Sequence, residues 1–512
     1  MDLNPPGRPD AEEPGRKAAQ DALVKSPILA LGLPRPKVGG VARNLVVVGG
    51  ATAIGQGALV LAAPVLARLY DPEAFGLLSV YAAMLSILLA VSSLRYDFAV
   101  PIATDDAEAV HLLCVCLVAG GVASLAVGVV VFAWGSQLSA LLGAAPLAPY
   151  LWILPVGLLV ASASQAVTSW ATYHRLFPRI GRLRATQGLG QAVCQAGLGI
   201  LRVGPIGLII GDTAGRVLGT EQLVRPLMGA LRSTQLTTNA MRRYARDRWG
   251  FARVMTAASL LNVLSLQVPF LMIPALFDLQ LSGQYFLAYK VLVLPTSLVA
   301  AAVSQVFFGE ASARRQDPAR LHALARNTAV SLFVFSIPTY LTVLFAGPAL
   351  IRVVFGSQWG MAGLYAQIMA PGLILWGVAN PISTLLLVGR RELESLGFTV
   401  AELAMKVGAL IGGALIHSLT AGLVFLSVAT ILINIGALWR FLRVAKVGLP
   451  DLIRPTGRIL ALTLPWMVMV VLVGAVTSVG AAIAAPVAWA FAFGLSARLS
   501  PEARALLSGA HD

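Results

Sequence analysis

Several places in this 512-residue chain put ionisable side chains within or at the end of apolar stretches, where charge is costly and therefore informative. Lys290 follows the run Tyr285-Phe-Leu-Ala-Tyr289, about a third of the way into an apolar segment and too deep for easy snorkelling to water. An ammonium at that depth suits an anion held in a central cavity; a carboxylate or backbone carbonyl partner is the alternative. Asp212 and Arg216 lie four apart in Gly211-Asp-Thr-Ala-Gly-Arg216, and Glu402 and Lys406 repeat that spacing. Residues i and i+4 share a helical face, so each couple reads either as a self-neutralised pair or as part of a transport site. Arg95, in Leu94-Arg-Tyr-Asp97, ends an apolar segment, where a cation meets anionic headgroups or an incoming phosphate. The uncharged Gln56, Asn262, Gln267, Gln305 and Asn380 fall mid-segment, able to line a cavity for a hydroxyl-rich ligand or to bond helix to helix.

The remaining chemistry-bearing residues point away from catalysis. No GxxxxGK[ST] phosphate loop occurs, which excludes an ATP-driven pump of that type. Asp105, Asp106 and Glu108 form one acidic cluster near a membrane surface. Such a cluster holds a divalent metal for phosphoryl or glycosyl transfer, or serves a solvated loop or helix N-cap. His111, His174, His322, His417 and His511 have no metal-ligand spacing, and Cys114, Cys116 and Cys194 sit in apolar stretches that suit neither a disulfide framework nor zinc. No catalytic residue, metal or cofactor is expected.

The elements that must position these groups follow from composition. Apolar residues make up 57% and charged residues 12% of the chain, with a mean hydropathy of +0.80, far from the balance of soluble domains. The net charge of +15 comes with no basic, aromatic-interleaved module, so no nucleic-acid partner is expected. The fold class is an all-α polytopic membrane protein of about fourteen helices. They are predicted at 45–67, 76–94, 112–133, 149–170, 185–202, 206–222, 254–277, 284–308, 327–346, 364–388, 395–416, 421–439, 458–477 and 479–496. Residues 1–40, rich in proline and scattered charge, read as a disordered cytoplasmic tail. With the N-terminus inside, 32 Lys and Arg fall on the cytoplasmic side and only Arg68, Arg202 and Arg352 outside, which predicts N-in, C-in topology.

Leu69-Tyr-Asp71 and Phe75-Gly76 recur as Leu276-Phe-Asp278 and Ser282-Gly283, 207 residues later. Both sit where an outgoing helix joins a returning one, as expected of parallel repeats. The chain divides accordingly into an N-lobe at 41–247, a C-lobe at 248–445, and a segment at 446–512 with two extra helices and a short cytoplasmic tail.

Three early stretches, Leu66-Ala-Arg-Leu-Tyr-Asp-Pro-Glu-Ala-Phe-Gly76, Ser93-Leu-Arg-Tyr-Asp-Phe-Ala-Val-Pro101 and Asp105-Asp-Ala-Glu-Ala109, carry a family resemblance. It continues through Gly204–Gly211, Gly283–Pro295 and Ser304–Ala311, and covers roughly residues 41 to 445. The chain resembles the polysaccharide-biosynthesis flippases, the O-antigen and exopolysaccharide exporters of the multidrug/oligosaccharidyl-lipid/polysaccharide (MOP) superfamily.

That resemblance implies two lobes around a central cavity in the bacterial inner membrane, moving a polyprenyl-pyrophosphate-linked oligosaccharide to the external leaflet by alternating access. Membrane lipids, a polysaccharide polymerase and assembly proteins, and a coupling proton or sodium ion are the partners it implies. Lys290, Arg95, Arg216 and Lys406 are then the candidate cavity cations, and Asp212, Glu402, Asn262, Gln267 and Gln305 the polar or coupling candidates. Many members of the family carry arginine where Lys290 stands, so positive charge is kept while bidentate phosphate geometry is lost. The alternatives are a cation-coupled multidrug exporter, a peptidoglycan-precursor flippase and, from another class, a membrane glycosyltransferase or polymerase. The short external loops disfavour the last of these.

Overall fold

The computed structural model describes residues 40–389, 391–448 and 450–499, and these fold as helices joined by short turns. The tail expected at the N-terminus lies almost wholly outside the described residues. A first bundle holds α1 (Gly40–Leu69), α2 (Pro72–Ser92), α3 (Asp106–Leu141), α4 (Ile153–Tyr173), α5 (Phe177–Ile200) and α6 (Ile206–Val217). A short amphipathic helix, α7 (Glu221–Ser233), leads to α8 (Thr238–Leu276). With α9 (Leu279–Ala313), α10 (Pro318–Phe355), α11 (Gly360–Ile382) and its continuation α12 (Thr384–Val388), α13 (Glu392–Leu415) and α14 (Leu419–Val444), α8 builds the second bundle. The final pair, α15 (Pro450–Val476) and α16 (Ser478–Leu499), packs against α10 and against each other.

Among the described residues twelve segments are long and apolar enough to cross a membrane. The fifth and sixth predicted spans fall on α5 and α6, which are not among these. Helix α5 begins with Arg179, Arg182 and Arg184 and is broken up by glycines, while α6 has 12 residues, about 18 Å of helix against a hydrocarbon core of about 30 Å. Both are held inside the first bundle, α5 against α1 and α6 against α5.

The duplicated motif has a physical role at the end of the molecule that the Lys/Arg asymmetry labels as outer. Asp71 Oδ1 accepts from the Ala74 amide at 2.8 Å and so caps α2. Asp278 Oδ1 accepts from Gln280 and Leu281 at 2.7 and 3.2 Å and caps α9. One turn further in, the two helices cross backbone to backbone. A Cβ on Gly283 would stand 1.7 Å from the Pro72 carbonyl oxygen, and one on Gly76 2.2 Å from that of Leu279. The neighbouring hydroxyls of Ser79 and Ser282 meet at 3.0 Å. Trp359 Nε1 and Gln358 Nε2 both donate to the Ala67 carbonyl, at 2.8 and 2.6 Å, and the Trp359 ring packs edge-on against Phe75. The two bundles are thereby in direct contact at this end.

At the opposite end the two bundles are joined by α8, whose 39 residues make about 58 Å of helix, longer than a membrane is thick. Its inner part lies on the N-lobe. Ala252 is buried there in one cluster with Leu223 of α7 and Tyr96, whose hydroxyl donates to the Ala245 carbonyl at 2.9 Å. Arg248 pairs with Glu108 at 2.8 Å.

Candidate functional site

A cavity of about 300 Å³ lies between the lobes, walled by α1, α2, α5, α6, α8 and α9. Lys290 reaches it from α9, which presents Phe286, Tyr289 and Lys290 to the space. The ammonium sits 5.3 Å from the centre of the Phe286 ring, a cation–π contact. Among the described residues no carboxylate lies within ion-pair distance of Lys290, although Asp212 lines the same cavity.

Helix α6 supplies Asp212 and Arg216 to the same cavity. Asp212 Oδ2 pairs with Arg216 Nε at 3.0 Å, and its Oδ1 accepts from Gln191 Nε2 at 3.0 Å. The carboxylate thus anchors the guanidinium through one edge and leaves Nη1 clear of it. Arg216 also stands in the last turn of its helix, where the macrodipole favours a cation.

Amides from α5 hold α6 in place. Gln195 Nε2 donates to the Leu208 carbonyl at 2.9 Å and Gln187 Nε2 to that of Arg216 at 3.0 Å. Gln191 and Gln195 line the cavity together with Gln56, Ser86 and Gln267.

Arg184, Gln187, Gln191 and Gln195 recur at helical spacing along α5, and Arg184 lies within electrostatic range of Arg216. Arg184 falls one residue outside the predicted span at 185–202; the four-membered polar stripe is the signal that finds it.

The second couple occupies a smaller cavity, about 60 Å³, within the C-lobe, lined by Tyr285, Tyr289, Glu402, Lys406, Ser427 and Thr430 among others. Lys406 Nζ pairs with Glu402 Oε1 at 2.8 Å. It also donates to the Ser265 carbonyl at 2.9 Å, so this couple is not self-contained. Tyr289 lines both cavities.

The structure does not bring the remaining candidates to either cavity. Arg95, in a left-handed turn at φ 54°, is largely buried at the inner end of the N-lobe, 3.7 Å from Asp97 and over the Phe98 ring. Asn262 and Gln305 are exposed and line neither space. Within the acidic cluster, Asp105 caps α3 through the Glu108 amide at 2.7 Å. The Glu108 carboxylate is taken up by Arg248 and by the Thr104 amide and hydroxyl.

Solved structures share this helical fold. The chain superimposes on the lipid II flippase MurJ in its inward closed conformation with a TM-score of 0.67, at 13% identity, over 88% of this chain and 98% of that one. It is 25% identical over 182 residues to the lipopolysaccharide biosynthesis protein WzxC of Escherichia coli, 35% of this chain and 37% of that protein. It is likewise 25% identical over 125 residues to the amylovoran biosynthesis protein AmsL of Erwinia amylovora, 24% of this chain and 31% of that protein. The matched stretches are therefore only about a third of these relatives' own lengths. Residues 65–362, more than half of the chain, match the polysaccharide biosynthesis protein family, and the chain belongs to it, as a multi-pass membrane protein.

Proposed function

We propose that the chain moves a polyprenyl-pyrophosphate-linked oligosaccharide from the cytoplasmic to the external leaflet by alternating access, for assembly of a cell-surface polysaccharide. The observation that carries this is Lys290, a basic residue deep in a membrane bundle, lining a cavity and in no ion pair among the described residues. Arg216, and Arg184 behind it, extend the positive charge towards the inner mouth. A cation there offsets the cost of drawing a diphosphate out of water, while the amides of Gln56, Gln191 and Gln267 suit sugar hydroxyls. The lipid tail stays in the bilayer between the lobes.

The pyrophosphate itself supplies a driving force. Each negative charge moved out of an inside-negative cell gains about 2.3 kcal/mol per 100 mV. In this proposal both termini are cytoplasmic, fourteen helices include α5 and α6, and two six-helix repeats precede a C-terminal pair. A polymerase on the external side consumes the product.

The test is export. In cells dependent on this chain for surface polysaccharide, Lys290→Ala should abolish the polysaccharide at near-normal abundance of the protein, and Lys290→Arg should retain it. Normal export by Lys290→Ala at normal abundance would overturn the proposal.

A further inference from the structure

Helix α8 carries a proline, Pro269, in its membrane-embedded half. Proline has no N–H, so the carbonyl four residues back, that of Ser265, loses its helical partner. Ser265 is buried, 1% exposed, and a buried carbonyl must find another donor. It finds Lys406 on the neighbouring α13, whose Nζ lies 2.9 Å away. The same Nζ is 3.4 Å from Ser265 Oγ and 2.8 Å from Glu402 Oε1. An ammonium has three donors, and here three oxygens surround it: one carbonyl, one hydroxyl and one carboxylate.

That is the ligand set of a hard metal cation, with one negative charge to balance one positive. The cavity of about 60 Å³ beside it offers the hydroxyl-bearing Tyr285, Tyr289, Ser427 and Thr430 as further oxygen donors. We infer that Lys406 is a tethered cation, its ammonium filling an oxygen cage between α8 and α13 that a dissociable sodium ion would otherwise occupy. Because the ammonium is bonded to the chain it cannot leave for either bath, so a sodium gradient does no work through this site. The inference is separate from the identity of the cargo and holds whichever glycan is carried.

The test removes the tether. The unfolding midpoint of the purified full-length chain is measured in sodium chloride and in N-methylglucamine chloride of equal ionic strength. The wild type should show no sodium-specific shift. Lys406→Ala and Lys406→Met should each show a saturable, sodium-specific upward shift, because the vacated cage now takes the free ion. Adding Glu402→Gln should abolish that shift. In cells, export by Lys406→Ala should rise about fivefold or more when sodium replaces N-methylglucamine, the scale of a typical coupling between two sites. A sodium-specific shift in the wild type would overturn the inference, as would folded Lys406 variants that ignore sodium. Failure of both variants to fold even in sodium would do the same, since a refilled cage should restore the contact between α8 and α13.

Discussion

Arg248 and Glu108 are unequal partners, and the inequality sets what each substitution costs. The Glu108 side chain is 5% exposed and that of Arg248 27%. Arg248→Ala strands a carboxylate in a buried site, a change worth about 3 kcal/mol, although the Thr104 amide and hydroxyl still bond it. Glu108→Gln leaves a guanidinium that can turn towards water, so it should cost less than half as much. Thermal unfolding of the two purified variants checks this; equal losses would mean that the pair is not the clamp between α8 and the N-lobe. The four-residue spacing made Asp212 with Arg216, and Glu402 with Lys406, visible in the sequence as couples. Their further partners, Gln191 and Ser265, come from other helices. A charge swap of Glu402 and Lys406 should therefore abolish export even though the couple is preserved, because it would set a carboxylate against the Ser265 carbonyl.

At the scale of helices, the crossing of α2 and α9 depends on the absence of two side chains. Gly283→Ala would drive a methyl group into the Pro72 backbone, which has no flexible end to yield. The helices must part, at a cost of about 1–3 kcal/mol. The accessibility of Ser282, fully buried in this crossing, gives the measurement. In a background lacking Cys114, Cys116 and Cys194, Ser282→Cys should resist an impermeant thiol reagent, and adding Gly283→Ala should speed its labelling severalfold. Unchanged labelling would show that the crossing does not seal the outer end.

The two similar helix starts at Asp71 and Asp278 were legible because their parts, a capping aspartate and a close-approach glycine, are residue types with few substitutes. Helices α5 and α6 were less legible, because their glycines and glutamines serve packing inside the bundle and dilute the hydropathy on which span recognition rests. Arg95 was legible in part: its position at a span end is plain, but its packing against Asp97 and Phe98 depends on a turn that sequence spacing does not fix.

For the molecule as a whole, the proposed orientation has a direct check. In the same cysteine-free background, Ser357→Cys and Val203→Cys, both exposed at the outer end, should label from outside intact cells. Ser233→Cys, exposed at the end of α7, should label only after the membrane is opened. Labelling of Ser233→Cys in intact cells would invert the topology and with it the direction of flipping.

The outer seal between the lobes is made of backbone crossing backbone, an indole and an amide donating to one carbonyl, and aromatic edges. These groups bond and pack directly against one another, a contact with little room for the chain of hydrogen-bonded water along which protons hop. A seal of this kind, in the proposed orientation, would keep the membrane electrically insulating at that end while the cavity beneath it took up its cargo. Loosening that seal would threaten the energised state of the whole cell envelope before it altered how much polysaccharide reaches the surface.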